Sequence, residues 1–135
     1  DYYKKKYKLN KNRNIKFLKP VSNKNKKFNL FDKYDFLILP SSNENFGIVI
    51  LEALARGLPV LTTNETPWNE IQEKNAGWII NDSLVELKIL LYKIFESSKK
   101  DILIKKKNTV KIAKYYTKEN LSNIYLKTYK KLFVN

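Results

Sequence analysis

Three short strand-forming runs, Phe36 to Leu39, Val60 to Thr63 and Trp78 to Ile80, alternate with stretches punctuated like helices, and this alternation constrains the fold more than any other feature. Short runs of this kind, bounded by Pro or Gly, read as strands buried on both faces. Strands that alternate with helices imply a parallel sheet covered on both sides. A fourth strand candidate, Ile15 to Leu18, stands upstream and is closed by Lys19-Pro20. The order implies an α/β fold, half of a doubly wound parallel sheet, followed by helices over residues 97–135.

The segments between the strands carry start and stop signals. Asn25 to Tyr34 places Phe28, Leu30, Phe31 and Tyr34 at the spacing of an amphipathic helix. Phe46 to Arg56 predicts a helix stopped by Gly57, with Pro59 following. Thr66-Pro67-Trp68-Asn69-Glu70 predicts a helix start, with Thr66 as cap and Pro67 at the first helical position. Asp82 or Ser83 can cap a helix that runs to about Phe95. Two more helices are expected, Ile102 to Tyr116 and Lys118 to Phe133, while residues 1–14 read as a helix or a frayed arm.

In parallel sheets of this kind ligands bind beyond the carboxyl ends of the strands, which singles out the loop Pro40 to Asn45. The charge distribution singles out the same place. From Tyr34 to Glu73, forty residues hold no lysine in a chain that has 25, and six acids there face only Arg56. Two of the acids are spaced Glu44-x7-Glu52 around the predicted start of the Phe46 helix. A helix start offers unpaired N–H groups and the positive end of the dipole, and Gly47 allows close backbone approach. Carboxylates on either side of such an anion pocket can grip two hydroxyl-bearing groups separated by a diphosphate. A sugar nucleotide has that layout.

A solvated surface residue is the plain alternative for Glu52. Its neighbours Ile48, Val49, Ile50, Leu51, Ala53, Leu54 and Ala55 argue against it, since they leave the helix apolar nearly all round and mark it as buried. An ionised carboxylate there needs partners. Glu44 has the simpler alternative that loops carry Glu anyway. For Phe46, Trp68 and Trp78 core packing is the favoured reading, and Gly57 and Gly77 read as backbone punctuation.

Composition closes off other chemistries. With no Cys and no His among 135 residues, the chain has no disulfide, no thiolate metal site and no imidazole base. Any catalysis relies on carboxylates, backbone dipoles and Lys or Arg. No apolar run approaches the roughly 20 residues that cross a bilayer, and a signal-peptide core is missing, so the chain reads as soluble and cytoplasmic. The absence of Met, even at position 1, implies an internal piece of a longer protein. The net charge of +14 is almost all lysine, against two Arg, in a chain also rich in Asn and Ile. Nucleic-acid readers favour Arg, which argues against that partner; ammonium groups suffice for an anionic membrane surface, including the inner face of a membrane.

The stretch from Leu37 to Asn81 closely resembles the donor-binding half of the retaining glycosyltransferases of family 4, whose architecture of two Rossmann-like domains is called GT-B. The resemblance rests on Pro40-Ser41, Glu44-x-Phe46-Gly47-x4-Glu52-Ala53, Gly57-x-Pro59-Val60, Glu70-Ile71 and Gly77, in order and spacing. It implies a Rossmann-like C-terminal half of a GT-B enzyme, here as a single truncated donor-binding domain over 1–135. The implied donor-binding residues are Glu44, Asn45, Phe46, Gly47, Ile48, Val49 and Glu52. Glu44 would be the catalytic carboxylate, on the hydroxyls of the transferred sugar, and Glu52 would hold the ribose. The loop after Leu18 would contact the base through Val21 and Ser22, although Lys19 stands where the family usually has Gly.

The implied reaction moves a glycosyl group from a nucleotide diphosphate sugar to an acceptor hydroxyl with retention, with no metal or other cofactor required. The implied partners are the nucleotide-sugar donor and an N-terminal Rossmann-like domain that carries the acceptor site and a basic pair for the diphosphate. Thr66-Pro67-Trp68 replaces small residues of the family in the manner of surface-polysaccharide enzymes, which implies capsule or lipopolysaccharide assembly. Two rival classes remain: a non-catalytic Lys-rich module that docks nucleic acid or anionic membrane, and another sugar-nucleotide enzyme such as an epimerase.

Overall fold

The computed structural model describes residues 6, 14–81, 83–123 and 126. The expected arm over 1–14 and the outer part of the Lys118 to Phe133 helix fall almost wholly outside these residues. The element order is α1 (Lys24–Phe31), β1 (Leu37–Leu39), α2 (Ile48–Ala55), β2 (Val60–Thr63), α3 (Glu70–Glu73), β3 (Gly77–Ile80), α4 (Leu84–Glu96) and α5 (Lys99–Tyr115). Residues 118–123 are helical again. The strands form one parallel, three-stranded sheet in the order β1-β2-β3. This is the Rossmann-like α/β arrangement that the alternation of strands and helices implied.

Successive strand residues point to opposite faces, and β2 divides the core accordingly. Val60 joins Ile50, Ala53, Leu54, Trp68, Ile71, Ile112 and Phe31 on one face. Leu61 joins Ile80 and Ile94 on the other, under Leu87, Leu90 and Leu91 of α4. In α2 the buried residues Ile50, Ala53 and Leu54 have the i, i+3, i+4 spacing of a core-facing stripe, and that stripe packs against α5.

Several expectations need correction. Ile15 to Leu18 is no strand: these residues are exposed, and among the described residues the sheet ends at β1. A run this short has no reason to stay extended without a ladder to join. The Phe36 to Leu39 run is not buried on both faces either, because β1 is an edge strand and Ile38 is 39% exposed; β2 alone is buried throughout.

The α2 helix begins at Ile48 rather than Phe46, since Gly47 takes the left-handed conformation, φ 72° and ψ 63°, which a helix cannot include. It is also less enclosed than its composition suggested, with Ile48 67% exposed. Thr66 and Pro67 do not open a helix. The Thr66 hydroxyl instead donates to the Thr63 carbonyl at 3.0 Å, Trp68 is drawn into the core, and α3 starts only at Glu70.

The serine caps are orthodox. Ser83 accepts from the Glu86 N–H and Ser98 from the Asp101 N–H, which fixes the starts of α4 and α5. The α5 start lies three residues before the expected Ile102, because Ser98 rather than the first apolar residue sets it.

Candidate functional site

The loop that leaves β1 is held by side chains from the end of β2. The Thr62 hydroxyl donates to the Leu39 carbonyl at 2.9 Å, and the Thr63 hydroxyl donates to the Ser41 carbonyl. Both threonines are fully buried, so these bonds satisfy groups that would otherwise be costly to bury. Further along, the Trp68 indole N–H donates to the Phe46 carbonyl, and Trp68 packs against Phe46 with ring centroids 5.3 Å apart. Three residues at the loop's two ends, Leu39, Ser41 and Phe46, are thereby fixed to the sheet and its core.

The conformation of Gly47 follows from this anchoring. Its N–H donates to Glu44 Oε1 at 3.1 Å, so the loop folds back on itself just before α2. A Cβ at Gly47 would sit 3.2 Å from Glu44 Cγ and 3.0 Å from Ile50 Cδ1 while the backbone stays at positive φ. Both the tight return and the left-handed backbone therefore favour glycine. Glu44 occupies only one of its oxygens in this way among the described residues. The N–H groups of Ile48 and Val49, in the first turn, have no acceptor within the helix, and the Glu44 charge lies at the positive end of the dipole.

Glu52 lies five residues beyond Gly47, about 7 Å along the axis, on the same side as Ile48. The partner its burial required is Lys27 of α1, whose Nζ donates to both carboxylate oxygens at 2.8 Å. The pair is partly enclosed, with 30% of the Lys27 side chain and 19% of the Glu52 side chain exposed. A second tie joins the same two helices: Arg56 donates to Asp32 from Nε at 2.9 Å and Nη2 at 2.5 Å, holding the Asp32 carboxyl below its ordinary range.

Behind the loop, the Tyr116 ring packs tilted against Trp68 at 5.1 Å and edge-on to Phe46 at 6.0 Å, and its hydroxyl donates to Glu70. Burial first, and the Glu70 bond second, raise the Tyr116 hydroxyl well above its ordinary value.

The expected residues are thus distributed along one helix start. Glu44, Phe46, Gly47, Ile48, Val49 and Glu52 follow one another from the loop into the first turns of α2, with the Asn45 side chain exposed beside them. Phe46 is only half-buried, so core packing accounts for Trp68 better than for Phe46. Val21 and Ser22 directly precede the Asn23 cap of α1, the helix whose Lys27 meets Glu52. Two grooves, of about 360 and 460 Å³, lie along α4 and between α4 and α5, and none of these residues lines them.

Sequence reasoning missed Lys27, Thr62 and Thr63. For the threonines the signal was available, because hydroxyls inside a wholly buried strand must find acceptors. For Lys27 it was fainter: Phe31 one turn later faces the core, which puts Lys27 on the inner side of α1.

The sequence profile described as glycosyl transferases group 1 matches residues 1–107. Over 66 residues the chain is 41% identical to the alpha-1,3/1,6-mannosyltransferase alg-2 of Neurospora crassa, a stretch that covers 48% of this chain and 14% of that protein. Over 59 residues it is 34% identical to the uncharacterized glycosyltransferase 335 of Sulfolobus islandicus rod-shaped virus 1, covering 44% of this chain and 18% of that one. The matched stretch therefore covers less than a fifth of the length of either relative.

Proposed function

The chain belongs to the glycosyl transferases group 1 family, and from that premise we propose that it is the donor-binding part of a retaining glycosyltransferase of family 4. The reaction moves a sugar from a nucleotide diphosphate to an acceptor hydroxyl, in the synthesis of a surface polysaccharide or glycolipid. One observation carries the assignment: Glu44 folds onto the Gly47 amide at the open end of α2, and a second, partly exposed carboxylate, Glu52, follows about 7 Å along the same helix.

In this reading the diphosphate sits on the first-turn amides of Ile48 and Val49, where the helix dipole stabilises the charge that develops on the leaving group. The unoccupied oxygen of Glu44 takes hydroxyls of the transferred sugar, and Glu52 accepts from the ribose. Pinning of Phe46 by Trp68, and of Ser41 by Thr63, holds the amides in place before the donor arrives. A second Rossmann-like domain supplies the acceptor site and further basic groups for the diphosphate. The exposed lysines Lys99, Lys100, Lys107, Lys111 and Lys114 of α5 suit peripheral attachment to anionic lipid at the inner face of a membrane. Among the described residues no helix is long and apolar enough to cross one.

Calorimetry on the full-length protein with UDP, GDP and ADP tests the assignment. Glu52→Gln is expected to weaken whichever nucleotide binds by about tenfold or more, the contribution of a hydrogen bond to a charged group. Glu44→Gln is expected to leave that affinity nearly unchanged and to lower kcat by roughly a hundredfold. Undiminished nucleotide binding in the Glu52 variant would remove the ribose assignment.

A further inference from the structure

We propose that Lys27 is a positioning residue for nucleoside recognition: it aims the Glu52 carboxylate at the ribose and links it to the segment at Val21 and Ser22. The proposal rests on the donor-binding reading above. Its starting point is the symmetry of the contact, 2.8 Å from one ammonium to each Glu52 oxygen, across 25 residues of sequence and between two helices. A carboxylate offers about four lone-pair sites on its two oxygens. Lys27 takes one site on each oxygen, which fixes the carboxylate plane and leaves one site on each for a pair of neighbouring hydroxyls.

Charge explains why the ammonium stays when such a diol arrives. With only 19% of its side chain exposed, Glu52 depends on a counter-charge, and hydroxyls, being neutral donors, cannot replace it. An unpaired Glu52 would also repel the diphosphate that the reading places one turn away. Lys27 thus serves both ends of the nucleotide through one contact.

The coupling to the base segment follows from where α1 begins. The Asn23 side chain accepts from the Lys26 N–H at 3.0 Å, and the Asn23 carbonyl accepts from the Lys27 N–H at 3.0 Å. Lys27 is therefore fixed to a cap that follows Ser22 directly. The far end of α1 is held by the Asp32–Arg56 pair and by Phe31 in the core, so a shift at Val21 and Ser22 is passed to Lys27 rather than absorbed along the helix.

The test compares the full-length protein's affinity for UDP, GDP and ADP with that for the corresponding 2′-deoxynucleotides, by calorimetry. The ratio of the two affinities reads the ribose contact and is insensitive to the fraction of protein folded, since both ligands meet the same population. Wild type is expected to prefer the ribonucleotide, Lys27→Met to reduce that preference about three- to tenfold, and Lys27→Arg to restore most of it. An unchanged preference in Lys27→Met, or tighter binding because the ammonium competes with the diol, overturns the proposal. Glu52→Gln separates the two levels: if it abolishes the preference while Lys27→Met does not, only the role of Lys27 falls. If Glu52→Gln also leaves the preference intact, the donor reading at Glu52 falls with it.

Discussion

On one face of the sheet Ile50, Ala53, Leu54, Val60 and Ile71 are sealed beneath α2, α3 and α5, while on the other α4 leaves Leu84 84% and Phe95 75% exposed. The first face carries the candidate site. There the loop from β1 is fastened by Thr62 and Trp68, with Thr63 holding Ser41 from the other side of β2, and α2 is clamped to α1 by two ion pairs. The second face buries only Leu61, Ile80 and Ile94 among the described residues. The contrast teaches that side-chain ties are concentrated around the helix start that carries the candidate site. The α4 side contributes hydrophobic cover to the sheet and a polar tie at its start, where Glu86 accepts from the Asn81 N–H at 3.0 Å.

Gly77 gives the sharpest test of that packing. It opens β3 opposite Val60, and a Cβ there would lie 2.0 Å from the Val60 carbonyl oxygen and 2.7 Å from Ile71 Cγ2. The first obstacle is backbone in the centre of the sheet and cannot rotate away. Gly77→Ala is expected to cost about 5 kcal/mol or more, in the class of substitutions that abolish cooperative folding. A normal thermal melt for this variant would mean that β2 and β3 can part without loss.

A pair of truncations measures the asymmetry directly. Leu54→Ala removes a wholly buried side chain from the site face and is expected to cost about 3 kcal/mol, within the range for cavity-forming substitutions. Leu84→Ser alters a side chain in water and is expected to change stability by about 0.5 kcal/mol or less. Urea denaturation of both reads the difference, and equal losses would show that α4 is as firmly packed as α2.

Much of this architecture was legible. Buried runs at Val60 to Thr63 and Trp78 to Ile80 gave strands where the structure has them, because parallel strands covered on both sides carry little but apolar and β-branched residues. Ile15 to Leu18 looked the same locally and failed, since a strand depends on a neighbour and pairing is not a local property. Glu44 and Gly47 were readable as a helix-start pair, but the left-handed backbone at Gly47 depends on Glu44 returning to its N–H, an interaction that spacing alone does not encode. Lys27 was the least visible, being one lysine among 25 whose role is set by the packing of α1 on α2. At Thr66 the helix-start signal was outcompeted by tertiary structure, because Trp68 gains more from the core than Pro67 gains at a first helical position.

A test confined to a single hydroxyl lies behind the site, at Tyr116. Its ring closes the cluster with Trp68 and Phe46, and its hydroxyl donates to Glu70. Tyr116→Phe keeps the ring packing and removes only that bond, which makes about 1 kcal/mol the expected loss near neutral pH. The native state holds the proton more tightly than the unfolded chain does, through burial first and the Glu70 bond second. The contribution is therefore complete below the ordinary tyrosine value of about 10 and declines as pH rises through and beyond it. Urea midpoints of wild type and Tyr116→Phe, followed from about pH 8, should accordingly keep their gap up to about pH 10 and converge above it. A gap that stays constant above that pH would mean the hydroxyl keeps no preferred proton in the folded state, and the aromatic cluster would then owe its hold on the Phe46 loop to ring packing and the Trp68 indole alone.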